Sequence, residues 1–415
     1  MLEKERTPLD SNPLRLIHRQ ARLSVKEPIV SQEINVTTAT DVDRTTSRSC
    51  QQNHGSNERS PRRLDLRVLL YGGSGAFQCP GGGEVQLVKT ALYLRHCGIR
   101  AKLFNPWKDK LKDADVLHLF GTLPEHSSLV KQAREAGVTT MLSTIAWYDV
   151  GSVWHLGGTR TQSLFQVGKF LLRATCPTIP SWRRRLYHQV DCLLPNSISE
   201  AKQLVKLFGV ARDKISVIPN GVDEVSLHGD VNLFEKIYGL NKFVLVPGRI
   251  EPRKNQLTLL RALKGLEVPV VFLGDTVPGY RYYERECRRL AGPEVHFLGR
   301  LNFSSDLLGS AYRSSGCVVL PGWFETPSLA ALEAAIAEAP LVVTSRGCTQ
   351  EYFGSDVRYV HPGRPREMRE AVESALENQF QERDKRRLLS DRILRNYHWS
   401  MVAERCREVY EKRVQ

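Results

Sequence analysis

The sequence predicts an α/β protein with two Rossmann-like domains that face a cleft, preceded by a flexible polar tail. Short apolar segments of strand type alternate with helical segments along most of the chain, which is typical of parallel sheets covered by helices. This alternation starts twice, near residue 66 and near residue 243. A chain of 415 residues is also long enough for two domains.

Composition and periodicity place the domain boundaries. Residues 1–63 are polar and show almost no apolar periodicity, so they are predicted to form the tail. The N-terminal domain is expected over residues 64–225, a linker over 226–241 and the C-terminal domain over 242–395. The remaining residues, 396–415, have a helical pattern, and we expect this helix to cross back to the N-terminal domain.

The N-terminal domain begins with a short apolar run that ends in glycines, as a buried parallel strand does. Helical patterns are predicted from Val85 to Gly98, from Ser128 to Glu135 and from Ser199 to Phe208. The strand segments are residues 66–71, 101–104, 116–120, 140–144, 192–194 and 215–219. In an open α/β sheet, ligands bind beyond the carboxyl ends of such strands.

The C-terminal domain repeats the same alternation. Its strand segments are residues 243–247, 270–273, 295–298, 317–321 and 341–344. Helices are predicted at 256–263, at 282–290 and between the last two strands, up to Ala339. Because the glycine-rich and polar loops of both domains follow strands, the sequence predicts a site in the cleft between them.

The overall charge favours an anionic partner. The net charge is +14, but the basic residues are spread along the chain without a nucleic-acid-binding motif, so we expect no nucleic acid partner. No apolar run reaches the roughly 18–20 residues that span a bilayer. The nine cysteines include no CxxC pair, which fits a reducing, cytoplasmic location and no structural zinc site.

A glycine and two basic residues after the first C-terminal strand are suited to a diphosphate. Gly248 allows close approach of the backbone, Arg249 can donate two hydrogen bonds to phosphate oxygens, and Lys254 adds a positive charge. The helix that begins beside them adds its positive end. Alternatively, these residues form an ordinary basic surface turn.

Two glutamates flank the start of a helix that is apolar almost all round. Glu325 lies in the loop after strand 317–321, and Glu333 lies in the second turn of the helix. Thr326 or Ser328 can cap this helix, and Pro327 suits its first turn. Since the helix should be buried, its carboxylates need partners, which disfavours the alternative of two solvated glutamates.

These motifs together resemble the group 1 (family 4) retaining glycosyltransferases of GT-B fold. The resemblance covers roughly residues 66–415. It is carried by the order and spacing of short motifs along the chain: Gly82-Gly83-Glu84, Pro195-Asn196-Ser197, Val217 to Asp223, Gly248-Arg249 with Lys254-Asn255, Phe297-Leu298-Gly299, and Glu325 with Glu333.

The resemblance implies an enzyme that transfers a sugar from a nucleotide-diphosphate sugar to a sugar or lipid-linked acceptor, with retention and without an obligatory metal or other cofactor. It implies that Arg249 and Lys254 bind the donor diphosphate and that Glu325 contacts the donor sugar. Glu333 would hold the ribose. The other implied donor-binding residues are Gly248, Arg300, Thr326, Pro327 and Ser328, while Gly82 and Gly83 would line the phosphate or acceptor side.

The sequence departs from the family pattern at two places. Many members carry a histidine after the strand that here ends Leu142-Ser143-Thr144, whereas this chain continues with residues 145–149 and has no histidine there. Trp147, Tyr148 or Asp149 is a candidate replacement. Thr326-Pro327-Ser328 also stands where a glycine-rich run is common, which changes the space for the sugar.

Three further motifs allow alternative interpretations. His118 lies in the strand Asp115 to Phe120 and is expected to face the cleft on the phosphate or acceptor side, with a hydrogen-bonded structural role as the alternative. Residues 113–115 imitate a metal-binding DxD motif, but they precede a strand and so lie at the wrong end for a ligand. The glycines in 71–75 imitate a nicotinamide-cofactor loop, but no acidic residue follows at the expected distance, so this interpretation is rejected.

A basic and aromatic cluster in the N-terminal domain suggests a peripheral membrane contact. Residues 182–185 read Trp-Arg-Arg-Arg, and residues 169–173 lie nearby in the sequence. Such a cluster docks on an anionic membrane surface or forms a solvated helix face. The competing functions are another GT-B nucleotide-sugar enzyme, such as an epimerase or hydrolase, and a non-catalytic nucleotide-sugar-binding protein.

Overall fold

The computed structural model of the chain describes residues 65–155, 160–224, 227, 229–302 and 305–414. The predicted tail lies outside the described residues. Within them, the chain forms two parallel sheets, each covered by helices on both faces, and the cleft between the two α/β domains opens at the carboxyl ends of their strands.

The N-terminal sheet contains five parallel strands in the order β2-β1-β3-β4-β5. The strands are β1 (Arg67–Tyr71), β2 (Arg100–Leu103), β3 (Val116–Phe120), β4 (Thr139–Ser143) and β5 (Cys192–Leu193). Their helices are α1 (Gly82–His96), α2 (His126–Glu135), α3 (Val150–His155), α4 (Arg160–Thr175), α5 (Trp182–Gln189) and α6 (Ile198–Phe208). Apolar side chains fill both faces of this sheet.

The predicted strand at residues 215–219 is wrong. Only Ile215 forms an isolated parallel bridge, to Leu193. The segment runs beside β5 and its continuation, where the Ser216 and Ile218 amides donate to the Leu193 and Pro195 carbonyls. Because Pro195 has no N–H to donate in return, the strand ladder cannot continue.

The C-terminal sheet contains six parallel strands in the order β11-β10-β9-β6-β7-β8. The strands are β6 (Val244–Pro247), β7 (Val270–Leu273), β8 (Val295–Gly299), β9 (Cys317–Leu320), β10 (Leu341–Thr344) and β11 (Arg358–Val360). The helices are α7 (Leu233–Tyr238), α8 (Gln256–Ala262), α9 (Arg281–Leu290), α10 (Asp306–Ser314), α11 (Leu329–Ile336), α12 (Thr349–Phe353), α13 (Pro365–Glu377) and α14 (Arg383–Tyr397). A turn of 3-10 helix over Pro252–Lys254 precedes α8.

The last helix, α15 (Trp399–Val414), packs against α1 in the N-terminal domain. Trp399, Val402 and Tyr410 are buried in the same apolar cluster as Leu66 and Val68 of the N-terminal domain. A Cβ added at Gly221 would collide with the Trp399 ring, so the backbone entering the second domain lies directly against α15.

Candidate functional site

A cavity of about 530 Å³ lies between the two domains. The N-terminal domain lines it with the loop and helix start at residues 78–83, and the C-terminal domain lines it with residues 247–249, 253–254, 273–276 and 325–330. All of these segments follow strands or begin helices. Backbone groups and polar side chains from both domains therefore line the cavity.

The loop after β6 brings basic side chains to the cavity. Gly248 has φ +129°, a conformation that favours glycine, and a Cβ at the neighbouring Gly274 would collide with the Gly248 carbonyl oxygen. The following turn is anchored by Asn255, whose buried amide donates to the Pro321 and Pro362 carbonyls at 3.0 and 2.8 Å. One close backbone approach and one buried amide thus hold Arg249 and Lys254 at the cavity.

Lys254 and Glu325 form a bidentate ion pair inside the cavity. The Lys254 Nζ lies 2.7 Å from Glu325 Oε1 and 2.9 Å from Oε2, and Glu325 is only 3% exposed. Burial lowers the pKa of Lys254, and the charge of Glu325 opposes this change. The pair presents a positive and a negative group side by side to any ligand in the cleft.

The backbone of Glu325 is fixed by a glycine from a different loop. Glu325 forms an isolated parallel bridge with Gly347, and the Cys348 amide donates to the Glu325 carbonyl at 3.0 Å. Gly347 has φ +100°, and a Cβ there would collide with the Glu325 carbonyl oxygen. Gly347 was not predicted from the sequence, although its place after the strand β10 is a signal that can be recognised.

Glu333 lies in the second turn of α11 and lines the same cavity. The buried Tyr312 hydroxyl donates to Glu333 Oε2 at 2.8 Å, which fixes the carboxylate and leaves Oε1 free of that bond. Burial raises the pKa of Glu333, while the Tyr312 hydrogen bond opposes the change. Tyr312, which also lines the cavity, was not predicted from the sequence.

Two helix N-termini line the cavity. Gly82 and Gly83 begin α1, and Leu329 begins α11. Ser328 occupies the N-cap position of α11, but its side chain makes no capping bond, so the expected cap by Thr326 or Ser328 is not formed. The N–H groups of both helix N-termini and the helix dipoles favour a negatively charged ligand.

The predicted residues Arg249 and Arg300 also lie at the cavity. The Arg249 Nη1 is 3.5 Å from the Cys79 carbonyl oxygen, so this side chain reaches the opposite domain. The amide of Arg300 donates to Asp275 Oδ1 at 3.2 Å. The structure therefore brings eleven of the twelve predicted site residues to one cavity: Gly82, Gly83, Gly248, Arg249, Lys254, Arg300, Glu325, Thr326, Pro327, Ser328 and Glu333.

His118 is not among them, and the prediction that it faces the cleft is wrong. It is buried, with Nδ1 2.7 Å from the Tyr410 hydroxyl and Nε2 2.9 Å from the Ser143 hydroxyl. Burial lowers the pKa of His118 to about 3. The ring is directed to α15, which comes from the far end of the chain. His118 is therefore the hydrogen-bonded structural histidine that the sequence left as the alternative.

The loop after β4 places Ile145 at the cavity, in the region where a histidine is common in the family. Ile145 has φ +44°, which is unusual for a β-branched residue. The buried Glu200 holds this turn, because its carboxylate accepts from the Thr144 hydroxyl and from the Ala146 amide at 2.8 Å. Burial raises the pKa of Glu200 to about 7.

The three candidate replacements for that histidine point elsewhere. The Trp147 indole donates to Asp149 at 2.8 Å, and Asp149 in turn accepts from the Ser152 amide at the start of α3. The Tyr148 hydroxyl lies 2.6 Å from that of the buried Tyr187. None of these three residues lines the cavity. At this wall of the site, the apolar side chain of Ile145 therefore takes the place of the histidine.

The described part of the chain, residues 65–414 apart from the short gaps, holds no group of three His, Cys, Asp or Glu side chains arranged to bind a metal. Within the same part, no helix is long and apolar enough to cross a membrane. The predicted absence of a metal or other cofactor remains a prediction.

The fold and the cavity define the class of protein. Two parallel α/β domains facing a cleft with basic groups, glutamates and helix N-termini are those of a GT-B protein. Residues 234–391 match the family described as "Glycosyl transferases group 1", and residues 109–225 match "Glycosyltransferase Family 4". The chain belongs to the group 1 (family 4) glycosyltransferases, as the motifs predicted.

Curated relatives match part of the chain. An uncharacterized glycosyltransferase of Methanocaldococcus jannaschii is 28% identical over 235 residues, which is 52% of this chain and 58% of the relative. The D-inositol 3-phosphate glycosyltransferase of Mycolicibacterium smegmatis is 29% identical over 172 residues, 40% of each chain. The chain thus spans 58% and 40% of the length of these two relatives.

Solved structures show the same fold over most of the chain. The sucrose-phosphate synthase of Thermosynechococcus elongatus aligns with a TM-score of 0.67 at 15% identity and covers 84% of this chain and 98% of that one. The Anabaena protein HepE, solved in complex with UDP-glucose, aligns with a TM-score of 0.64 at 16% identity and covers 84% and 100%. At this identity the likeness concerns the fold alone.

Proposed function

We propose that this protein transfers a sugar from a nucleoside-diphosphate sugar to an acceptor sugar or lipid-linked sugar, with retention of the anomeric configuration. The observation that carries the proposal is the buried Lys254–Glu325 pair, which lies in one cavity with Arg249, Glu333 and two helix N-termini. This arrangement offers separate partners for a diphosphate, a ribose and a sugar. One solved neighbour in complex with UDP-glucose also supports a donor of this kind.

Each group has a task that follows from its chemistry. Arg249 and Lys254 neutralise the diphosphate, and the N–H groups at Gly82 and Leu329 donate to its oxygens. Glu333, oriented by Tyr312, accepts from the ribose hydroxyls through its remaining oxygen. Glu325 accepts from hydroxyls of the donor sugar and stabilises positive charge near its anomeric carbon.

Transfer breaks the bond between the anomeric carbon and the diphosphate and forms a bond to the acceptor oxygen on the same face. The acceptor proton passes to the leaving phosphate oxygen. Negative charge on the departing diphosphate develops beside Lys254 and Arg249, and this preorganised stabilisation is the main catalytic contribution. No metal is required in this proposal because the positive groups belong to the chain. A role of this protein in polysaccharide or glycoconjugate synthesis is consistent with its family.

A thermal-shift screen against UDP-, GDP-, ADP- and TDP-sugars tests the proposal. A ligand at about 100 times its Kd stabilises the native state by about 2.7 kcal/mol, so one donor should raise the melting temperature measurably. Arg249→Ala should remove the shift, whereas Arg261→Ala, an exposed change on α8 outside the cavity, should keep it. The absence of a shift with every nucleotide sugar, or an equal shift in Arg249→Ala, contradicts the donor site.

Product analysis distinguishes transfer from its competitors. With the stabilising donor and a panel of acceptors, a transferase forms a new glycoside with the anomeric configuration of the donor, which NMR of the anomeric proton reports. Epimerisation or hydrolysis of the donor without acceptor-dependent product supports the other GT-B enzymes instead. Binding without any turnover supports a non-catalytic nucleotide-sugar-binding protein.

A further inference from the structure

The connection between β4 and β5 carries a helix with an exposed apolar face. On α4, the side chains of Leu164, Phe165, Leu171 and Leu172 are 61%, 62%, 52% and 58% exposed. Soluble proteins usually leave apolar side chains exposed singly rather than as a cluster along one helix. These four residues are called the α4 apolar face below.

The α4 apolar face is separate from the face that packs on the protein. Ser163, Val167, Phe170 and Ala174 follow one another at intervals of three or four residues and are buried or half-buried. With about 100° of rotation per residue, the α4 apolar face lies on another side of the helix. One apolar side of α4 therefore covers the domain, and the second covers no described part of the chain.

The segment of the chain that carries the α4 apolar face is positively charged. Residues 150–190 contain Arg160, Lys169, Arg173 and the run Arg183 to Arg185, but no Asp or Glu. Acidic residues make up 45 of the 415 residues of the chain, so a segment of this length without one has a strong charge bias. Lys169, Arg183 and Arg185 are exposed. Exposed apolar groups and exposed cations in one segment without acidic residues favour an anionic membrane surface.

The same segment reaches the candidate active site. The helix α3 contacts the turn Pro252–Lys254, which carries the basic residues of the cavity. The Ser163 hydroxyl donates to the Trp154 carbonyl at 3.2 Å and joins α4 to α3. A surface that binds α4 therefore lies close to the opening of the cleft.

We propose that the α4 apolar face, with Lys169, Arg183 and Arg185, docks the protein on an anionic lipid surface. A lipid-linked acceptor in that surface then lies near the cleft; only this consequence rests on the proposed function. Two copies of the chain joined through this face would bring its cations together without any acidic partner from residues 150–190, which disfavours a dimer.

Vesicle sedimentation of the full chain tests the docking. Wild-type protein should pellet with phosphatidylcholine vesicles that contain about 30 mol% phosphatidylglycerol, and roughly tenfold less with phosphatidylcholine alone. Phe165→Ser with Leu172→Ser should reduce pelleting by roughly tenfold or more, because two of the four exposed apolar side chains are lost. Arg183→Glu with Arg185→Glu should do the same.

Matched controls keep the result specific to this surface. Phe380 and Leu388 are 87% and 67% exposed on the C-terminal domain, so Phe380→Ser with Leu388→Ser removes comparable apolar area elsewhere. Arg366→Glu with Arg387→Glu makes the same change of net charge at exposed positions. Both control variants should pellet like the wild type.

Three results overturn the proposal: no pelleting that depends on phosphatidylglycerol, equal pelleting of Phe165→Ser/Leu172→Ser and the wild type, or a wild-type dimer that this variant converts to a monomer. Nucleotide-sugar binding is measured separately, without vesicles. Docking without nucleotide-sugar binding therefore refutes the proposed function alone, and nucleotide-sugar binding without docking refutes this inference alone.

Discussion

The Lys254–Glu325 pair links the stability of the protein to its proposed chemistry. Both oxygens of Glu325 accept from Lys254, and the carboxylate is buried at the wall of the cavity. When one partner is removed, the other charge remains in a site of low water access, which is more costly than the loss of the pair as a whole. Effects on folding and on transfer can therefore be separated by single and double substitutions.

Single changes of this pair should lower stability, and the double change should restore it. Lys254→Met should destabilise by roughly 3 kcal/mol because it leaves Glu325 charged and unpaired. Lys254→Met with Glu325→Gln should recover most of the melting temperature, yet transfer should stay reduced by about 10²-fold or more, since both functional groups are gone. Thermal unfolding and donor-consumption assays measure the two effects.

The exposed pair Lys131–Glu135, 3.9 Å apart on α2, provides the control. Lys131→Met should change stability by less than about 1 kcal/mol and leave transfer unchanged. Full transfer activity in Glu325→Gln, with the protein folded, contradicts the assigned role of the carboxylate.

Acidification should destabilise the protein through His118. Burial lowers the pKa of this histidine to about 3, whereas an unfolded histidine titrates near its ordinary pKa of 6.5. Between these values the unfolded state binds more protons, so the stability contributed by neutral His118 is present above pH 6.5 and is lost as the pH falls. At pH 5 the loss is about 2 kcal/mol.

The comparison of wild type with His118→Gln isolates this effect. Glu200, with a pKa raised to about 7, contributes in the opposite direction over pH 4.5–7, but it is present in both proteins. The stability advantage of the wild type should therefore shrink between pH 7.5 and pH 5 in thermal unfolding. An advantage that is constant over this range refutes a buried neutral His118; His96→Gln, on the exposed end of α1, is the control.

At the scale of elements, the parallel strands were the most predictable part of the fold. Segments such as Val116–Phe120 and Cys317–Leu320 are buried on both faces and are therefore apolar without interruption. The helices α3 and α4 were not predicted, because α4 has two apolar sides and so lacks a single amphipathic period. The strand β11, with only three residues, also gave too short a signal.

The candidate site was predictable where its residues follow strands. Glu325 and Arg249 were found because ligand groups cluster at the carboxyl ends of parallel strands. Tyr312 and Gly347 were not, because their contacts with Glu333 and Glu325 join segments that only the folded chain brings together. His118 was misassigned for the same reason, since its partner Tyr410 belongs to the last helix.

One contact between elements should control how firmly the domains hold together. The Glu351 carboxylate, on α12 of the C-terminal domain, accepts from the Ile198 and Ser199 amides at 2.8 and 2.7 Å, at the first turn of α6 in the N-terminal domain. It satisfies two N–H groups that have no partner within their own helix. The negative charge also complements the positive end of α6.

Glu351→Ala should loosen this contact by about 1 kcal/mol, the usual value for a lost helix-capping group. Hydrogen–deuterium exchange at the first turn of α6 should then become roughly fivefold faster, because Ile198 and Ser199 lose their acceptor. Glu370→Ala, on the exposed face of α13, should leave that exchange unchanged. Equal exchange in both variants contradicts the prediction that Glu351 stabilises the first turn of α6 in solution.

At the scale of the whole molecule, the chain crosses between its domains more than once. It enters the C-terminal domain past Gly221 and returns through α15, whose Trp399 lies against that same glycine. The N-terminal core therefore includes side chains from the last helix of the chain, such as Val402 and Tyr410. The N-terminal domain therefore does not complete its packing from one continuous segment, so we expect the two domains to unfold together.

Trp399→Ala should divide this cooperative unfolding into two steps. The ring is 2% exposed, and removal of a buried aromatic side chain of this size costs about 3–5 kcal/mol. With α15 loosened, the N-terminal domain should melt first, and differential scanning calorimetry should show two transitions where the wild type shows one. The stabilising nucleotide sugar should raise mainly the later transition, because most of its proposed contacts lie in the C-terminal domain.

The control is Leu388→Ala, an exposed change on α14, which should keep a single transition. If Trp399→Ala also shows a single transition, shifted to lower temperature, α15 does not couple the two domains. The coupling then comes from the cleft and the Glu351 contact instead.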